Sequence, residues 1–132
     1  MVQPGVNGLC VLDEMGNVIT NHAIKPDGSL ALMQKLPLLP SNFTGFSKAA
    51  ELLITGDGTS LFASNRGYGS ADTNTLVGFA IGFDGTLTQA SVVPSGVSFP
   101  RAVALTFGGD ALLVAGETAG KIAAFSCPGH GK

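Results

Sequence analysis

A few charged residues lie next to the apolar runs of this sequence and are candidates for catalysis or substrate binding. In "AAELLITGDGTSLFASNRG", residues 49–67, Glu51 comes just before one apolar run and Arg66 just after the next. Arg101 precedes a further run and follows Pro100. Guanidinium groups bind anionic oxygens through paired hydrogen bonds and stabilise developing negative charge, while a carboxylate can transfer a proton or activate water. These three side chains would therefore suit a reaction of an anionic substrate.

The composition limits the partners of the chain. Its 132 residues are 45% hydrophobic and 12% charged, which predicts one globular domain. The formal net charge is −2 and Lys and Arg form no run, so nucleic acid is not expected as a partner. The apolar runs fall short of the ~20 residues of a membrane helix, and the start of the chain lacks a secretory pattern. We expect a cytoplasmic protein with no membrane partner.

The spacing of cysteine, histidine and glycine residues indicates whether the chain could bind a metal or a nucleotide cofactor. Cys10 and Cys127 lie near opposite ends of the chain without metal-ligand spacing. This favours two reduced thiols, with a disulfide across a long loop as the less favoured alternative. No clustered ligand set and no glycine-rich strand-to-helix loop is present, so we expect neither a metal nor a cofactor.

The elements that position the charged residues read as β-strands. Short apolar runs alternate with turn residues, and little of the sequence has a helical period. In "PDGSL", "GDGTSL", "FDGTL" and "GGDALL", glycine stands where a hairpin needs a positive φ angle. The chain is therefore predicted to be all-β, with strands at "ELLIT", "SLFASN", "TLVGFAIG", "TLTQASVVP", "RAVALTF", "ALLVAGE" and "KIAAFSC".

The sequence also repeats. "AELLITGDGTSLFASN" from residue 50 matches "RAVALTFGGDALLVAG" from residue 101 without a gap, a shift of 51 positions. The segment that begins at residue 9 with "LCVLDEMGNVITNHAI" matches "LFASNRG" from residue 61 and then the segment from residue 74. Four-stranded units of roughly 40 to 50 residues are typical of a β-propeller. The predicted fold is a partial β-propeller made of four-stranded antiparallel blades.

The repeat divides this single domain, residues 1–132, into parts of three blades. Residues 9–40 are the later strands of one blade, 49–93 a complete blade and 100–127 the early strands of the next, followed by a tail at 128–132. Because "MVQPGVNGL" enters in mid-blade, we expect the natural protein to begin earlier. A ring needs about 4 to 8 blades, so open blade faces are expected to favour self-association.

One family shares these motifs. "FTGFSKAAELLITGDGTSLFASNRG", followed by "FDGTL" and "SFPRAVALTFGGDALLVAGE", resembles the seven-bladed propeller lactonases. This family includes the bacterial propeller-type 6-phosphogluconolactonase and the fungal carboxy-cis,cis-muconate cyclase. The resemblance covers about residues 9–127 and implies a cytoplasmic, metal-independent enzyme that opens or closes a lactone ring.

The resemblance implies a small anionic lactone or carboxylate as substrate. The reaction would be hydrolysis of 6-phosphogluconolactone, within carbohydrate metabolism, or lactonisation of a muconate. The chain departs from the family at Leu53, where many relatives have histidine, and it lacks the earlier blades that carry further active-site groups. Two alternatives stay open: a propeller-derived binding or assembly module without catalysis, and a degenerate fragment.

Within this family frame, three residues are candidate catalytic groups. Arg66 and Arg101 would bind the anion and stabilise an oxyanion, and Glu51 would act as general acid or base or hold the arginines. The alternative is an inter-blade salt bridge between glutamate and arginine. Substitution of Arg66 by alanine in a full-length relative should abolish turnover and leave the melting temperature nearly unchanged if Arg66 is catalytic, whereas a large loss of stability with activity retained would favour the salt bridge.

Other polar residues are candidate substrate contacts. Glu14 and Glu117 occupy the repeat position of Arg66, so the three should face the same mouth of the channel. Lys48 and Thr44 line the approach to Glu51. For these four residues the alternative is a solvated loop position, and His22 and His130 are expected to lie in an outer strand and in the tail.

Overall fold

The computed structural model describes residues 1–68, 73–118 and 120–127, and it consists of β-strands joined by turns. Every paired strand is antiparallel to its neighbour, which confirms the all-β prediction. Among these residues, no helix has the length and apolar character needed to cross a membrane. The predicted tail at 128–132, with His130, lies outside the described residues.

Three sheets follow one another along the chain. The first has the order β1-β2-β3, the second β4-β5-β6-β7 and the third β10-β9-β8. The seven apolar runs predicted as strands correspond to β4 through β10, so the pattern of runs and turns is confirmed. The strands are β1 Gly8–Asp13, β2 Val18–Ile24, β3 Leu30–Pro37, β4 Phe46–Ile54, β5 Ser60–Tyr68, β6 Thr75–Ile81, β7 Leu87–Pro94, β8 Pro100–Leu105, β9 Ala111–Gly116 and β10 Ile122–Ser126.

Two apolar layers hold the sheets face to face. Side chains alternate between the faces of a strand, so Leu61 of β5 joins a core with the first sheet while Phe62 packs into a core with the third. The second sheet is therefore covered on both faces. The first layer contains Cys10, Ile19, Leu38, Ala49, Leu52, Ile54, Leu61, Ala63, Val77, Phe79 and Leu87, and the second Leu76, Val97, Val103, Leu112, Val114 and Cys127.

The innermost strands line up across the three sheets. β4 contacts both β1 and β8, and β4 and β8 each open their own sheet. In the first sheet the innermost position is held by residues 1–3, where Val2 forms a single antiparallel bridge with Leu9. Gln3 N donates to Gly8 O at 2.9 Å, and the same bond recurs in the other two sheets from Thr55 to Ser60 and from Thr106 to Ala111. The three sheets are therefore built on one plan.

Aspartate and glycine build the hairpin turns. One glycine in each of the four predicted turns has a positive φ angle, as predicted: 81° at Gly28, 72° at Gly58, 79° at Gly85 and 70° at Gly109. Asp84 accepts hydrogen bonds from the backbone N–H of Thr86 at 3.0 Å and from its hydroxyl at 2.7 Å. These bonds stabilise the carboxylate and lower the pKa of Asp84, and Ser29 lowers the pKa of Asp27 in the same way.

A buried polar network ties the first sheet to the second. The carbonyl of Gly85, in the turn between β6 and β7, accepts from Gln3 Nε2 at 3.1 Å and from Asn21 Nδ2 at 2.8 Å. Asn21 also donates to Gln34 Oε1 at 3.0 Å, and the Gln34 side chain bonds the backbone of Leu87 in both directions, at 3.0 and 2.7 Å. The register between these sheets therefore depends on side-chain amides as well as on apolar packing.

Thiol reactivity gives a first test of the packing. Cys10 and Cys127 are free and buried in different apolar layers, which agrees with the prediction of unpaired thiols. Burial raises the pKa of both thiols. We expect neither to react rapidly with a disulfide reagent at about pH 8, near the ordinary thiol pKa, until the chain is unfolded.

The buried thiols should make the folded chain less stable at alkaline pH. Because the folded thiols keep their protons to higher pH than the unfolded thiols, their contribution to stability is complete below the ordinary thiol pKa and decreases as the pH rises past it.

For the thiol-reactivity measurement, a Cys10→Ser variant, which retains Cys127, serves as the control and should show one slow thiol instead of two. A fast thiol in the folded wild-type chain would contradict the burial.

Candidate active site

The candidate residues collect at one end of the three sheets, which we call the channel mouth. β4 and β8 begin at this end, and their antiparallel partners β5 and β9 finish there, as does β1. Residues that follow β1 and β9 therefore meet residues that open β4 and β8. The channel mouth comprises Glu14, Thr44, Phe46, Lys48, Glu51, Arg66, Tyr68, Phe99, Arg101 and Glu117.

Arg66 is largely buried at the channel mouth, with 11% of its side chain exposed. Its guanidinium forms an ion pair with the carboxylate of Glu14 and donates to the carbonyl of Ala49 at 3.2 Å. Its Nε is buried without a hydrogen-bond partner. The contact joins the first sheet to the second across β4. It is therefore an inter-blade salt bridge between glutamate and arginine, but its acid is Glu14 and not Glu51.

Glu51 lies inside a strand, and the expectation that it stands at a strand edge is wrong. β4 begins at Phe46 because residues 46–49 continue the ladder opposite residues 65–68. Ala50 and Glu51 together oppose Ser64, which makes a β-bulge. The Ser64 hydroxyl accepts from Glu51 N at 3.1 Å and donates to Pro100 O at 2.9 Å, so it connects the bulge to the start of β8.

Arg101 stands at the same irregularity in the next sheet. Pro100 pairs with Gly116 and Ala102 with Ala115, which leaves Arg101 as the extra residue of a bulge in β8. The shift of 51 positions maps Ala50 onto Arg101, so the bulge recurs at one repeat position. Bulges re-aim side chains and are common beside active sites. Arg101 is exposed and, like Glu51, forms no ion pair with a described residue.

The remaining candidates lie around these residues. Lys48 stands directly opposite Arg66 in the β4–β5 ladder, with its Nζ 5.8 Å from the ring centre of Phe46. Glu117 is exposed, and its backbone N–H donates to Phe99 O at 2.9 Å. Thr44 is exposed in the loop before β4. All four weaker candidates thus lie at the channel mouth, while only Glu14 contacts a candidate catalytic residue through its side chain.

Sequence reasoning missed an aromatic cluster at the same end. Phe46 and Tyr68 lie with ring centres 4.9 Å apart, and Tyr68 and Phe99 are 4.7 Å apart in an edge-to-face arrangement. Tyr68 is the single tyrosine of the chain. The position of Tyr68 directly after the "SNRG" motif was the feature of the sequence that could have indicated an aromatic group at this end of the sheets.

Metal ligands are not grouped in the part of the chain that the structure describes, where no three His, Cys, Asp or Glu side chains lie together. His22 lies on β2, where its Nε2 is 3.0 Å from the hydroxyl of Thr20. The described side chains of the channel mouth carry guanidinium, ammonium, carboxylate and aromatic groups.

The stacked sheets, each entered through an innermost strand, define a part of a β-propeller with charged groups at one mouth of its channel. A sequence model described as "Lactonase, 7-bladed beta-propeller" matches residues 3–131. The chain belongs to this family of seven-bladed β-propeller lactonases.

Curated relatives agree with this membership. A 6-phosphogluconolactonase of Klebsiella pneumoniae strain 342 is 28% identical over 123 residues, which are 93% of this chain and 36% of that protein. An uncharacterized protein of Staphylococcus saprophyticus is 31% identical over 106 residues, or 80% of this chain and 29% of that protein. The chain thus spans about a third of the length of the relatives that it matches.

Solved structures have the same fold. The Pseudomonas aeruginosa periplasmic gluconolactonase PpgL superposes with a TM-score of 0.89 at 27% identity, over 100% of this chain and 36% of that one. A protein from Lactobacillus plantarum superposes with a TM-score of 0.88 at 24% identity, over 100% of this chain and 38% of that one. The arrangement of the three sheets is therefore that of about a third of a complete propeller.

Proposed function

We propose that this chain supplies part of the active site of a hydrolase that opens an anionic sugar lactone, such as 6-phosphogluconolactone. The observation that carries the proposal is the exposed Arg101 on a recurring bulge, with Glu51 on the equivalent bulge of the neighbouring inner strand. Relatives named 6-phosphogluconolactonase and gluconolactonase support hydrolysis over muconate lactonisation.

The chemistry of lactone opening suits these groups. Water adds to the ring carbonyl, the resulting oxyanion collapses, and the bond between the carbonyl carbon and the ring oxygen breaks. The ring oxygen gains a proton, and the product is a hydroxy acid. Arg101 would stabilise the oxyanion, and Glu51 would accept the proton of the attacking water and return it to the leaving oxygen. Arg66, engaged with Glu14 and Ala49, would act indirectly by holding the first sheet against the second at the mouth.

A second candidate function is that of a non-catalytic assembly module. Val11, Leu32 and Ile122 are exposed apolar side chains on strands of the first and third sheets, which each have only one neighbouring sheet. Such faces favour association of copies. Self-association and a cytoplasmic location stay predictions.

The test is hydrolysis of 6-phosphogluconolactone by the purified chain, corrected for spontaneous opening, with the particle mass measured by light scattering. We expect acceleration by the wild-type chain and a loss of about tenfold in Arg101→Met, because one charge-assisted contact to the transition state is removed. Lys35→Met is the matched control, since Lys35 is an exposed cation on β3, the last strand of the first sheet.

The outcomes separate the two functions. Acceleration that falls in Arg101→Met and persists in Lys35→Met supports catalysis at the channel mouth. A folded chain that leaves the spontaneous rate unchanged would reject the hydrolase proposal for this chain. If that chain also forms a discrete particle of two or three copies, the assembly function is supported.

A further inference from the structure

We infer that the aromatic cluster of Phe46, Tyr68 and Phe99, together with Lys48, forms a subsite for an anionic sugar derivative. The carbon face of the sugar lies against the aromatic rings, and its phosphate pairs with the ammonium of Lys48. The place of this subsite in catalysis rests on the proposed function, which it deepens by assigning the residues that would bind the sugar ring and its phosphate.

The aromatic cluster is open to solvent at the channel mouth. Phe46 is 53% exposed and Tyr68 37% exposed, and they stand opposite each other in the β4–β5 ladder. Phe99, which precedes β8, extends the ring contacts to the third sheet. Aromatic side chains offer a large, rigid, polarisable surface, and adjacent exposed rings commonly mark a binding surface. The tilted contact between Phe46 and Tyr68 and the edge-to-face contact between Tyr68 and Phe99 hold the rings in place before a ligand arrives.

The backbone at Phe99 supports a binding role. Phe99 has a φ of 55°, a left-handed conformation that a bulky side chain rarely adopts. Two hydrogen bonds hold it there: Phe99 N donates to Asn74 Oδ1 at 3.0 Å, and Glu117 N donates to Phe99 O at 2.9 Å. Strained residues that their surroundings fix in this way cluster at ligand clamps. The strain places the Phe99 ring against Tyr68.

The charge at Lys48 indicates an anionic ligand. Lys48 and Arg66 are directly opposed cations, and like charges in this arrangement destabilise a sheet. Glu14 neutralises Arg66, whereas Lys48 forms no ion pair with a described residue and lies 5.8 and 5.9 Å from the ring centres of Phe46 and Tyr68. An anion beside Lys48 would supply the counter-charge that no described residue provides and form a charge-assisted hydrogen bond.

The chain carries its own probe for this subsite. It has one tyrosine and no tryptophan, so its tyrosine fluorescence reports on Tyr68 alone. Titration with 6-phosphogluconate, the product of the proposed reaction, should change this fluorescence saturably. Gluconate, which lacks the phosphate, should bind about tenfold more weakly, because it offers one charge-assisted contact fewer.

Two variants test the assignment, and a third is the control. Lys48→Met keeps the aliphatic stem and removes the charge, and it should weaken 6-phosphogluconate binding about tenfold while leaving gluconate binding unchanged. Phe46→Leu removes one ring and should weaken binding of both compounds. Phe83→Leu alters an aromatic side chain that is fully exposed in the turn between β6 and β7, away from the channel mouth, and should change neither.

The outcomes also separate this inference from the proposed function. No saturable response in the folded wild-type chain, or equal affinity in Lys48→Met, would overturn the subsite. Accelerated lactone hydrolysis without a Tyr68 response would reject the subsite and leave the hydrolase function standing. A Tyr68 response that depends on Lys48, in a chain without hydrolysis, would uphold the subsite and reject catalysis by this chain.

Discussion

Glu14→Ala should lower the free energy of unfolding by about 2 kcal/mol, because it leaves the largely buried Arg66 guanidinium without its counter-charge. The side chain of Glu14 is 57% exposed, so we expect less than the cost of breaking a fully buried pair. Arg66→Met should cost only about 1 kcal/mol, because it leaves behind a carboxylate that water can reach and one unpaired carbonyl, that of Ala49. The two partners of one ion pair should therefore respond unequally.

A double-mutant cycle in urea measures this asymmetry. Glu14→Ala, Arg66→Met and the combined variant should show a coupling energy of about 1 kcal/mol, with the double variant more stable than the sum of the single changes indicates. Glu117→Ala is the matched control, since Glu117 occupies the equivalent repeat position, is exposed and forms no ion pair with a described residue. Equal effects of Glu14→Ala and Glu117→Ala would show that the ion pair contributes nothing.

This result bears on the interpretation of Arg66. An arginine with 11% of its side chain exposed and two partners is part of the packing between sheets, so Arg66→Ala is expected to change the melting temperature. The expectation of a nearly unchanged melting temperature placed Arg66 just after a strand, whereas Arg66 lies within β5 and is largely buried. Loss of activity in such a variant would need comparison with Glu14→Ala, which disturbs the same pair without removing the guanidinium.

Much of the fold could be predicted from the sequence because its signals are local. Glycine at turn corners and strand-length apolar runs predict the seven strands β4 to β10 in the order observed, and the gapless shift of 51 positions relates β4 and β5 to β8 and β9. The beginning of β4 was missed because "FSKA" mixes polar and apolar residues, and these residues are held by pairing with residues 65–68 rather than by their own pattern. The start of β4 is thus determined by pairing with a neighbouring strand and not by the local sequence pattern.

The candidate site was less accessible to sequence reasoning because its contacts are not local. Glu14 and Arg66 are 52 positions apart and meet only because the first and second sheets stack. The repeat placed both at one end of the blades, but it could not say that they touch. A phenylalanine at position 99 does not indicate a left-handed backbone conformation. That conformation is imposed by hydrogen bonds with Asn74 and Glu117, which are distant in the sequence.

Asn21→Leu should give the largest loss of stability among these variants, about 3 kcal/mol, because a cooperative buried network loses one of its members. Asn21 is fully buried and donates to both Gly85 O and Gln34 Oε1. Leucine has the same number of side-chain heavy atoms but cannot donate, so Gly85 O loses its shorter hydrogen bond and the Gln34 amide loses a partner. Added apolar burial does not compensate when the neighbouring polar groups stay in place.

Urea unfolding of Asn21→Leu beside Asn42→Leu, an exposed asparagine in the loop before β4, tests this expectation. The control should stay within about 0.5 kcal/mol of wild type. Because the network fastens the first sheet to the turn between β6 and β7, the variant should also show a smaller dependence of unfolding free energy on urea, as residues 1–37 separate before the rest. Equal stability of the two variants would mean that apolar packing alone holds the first sheet against the second.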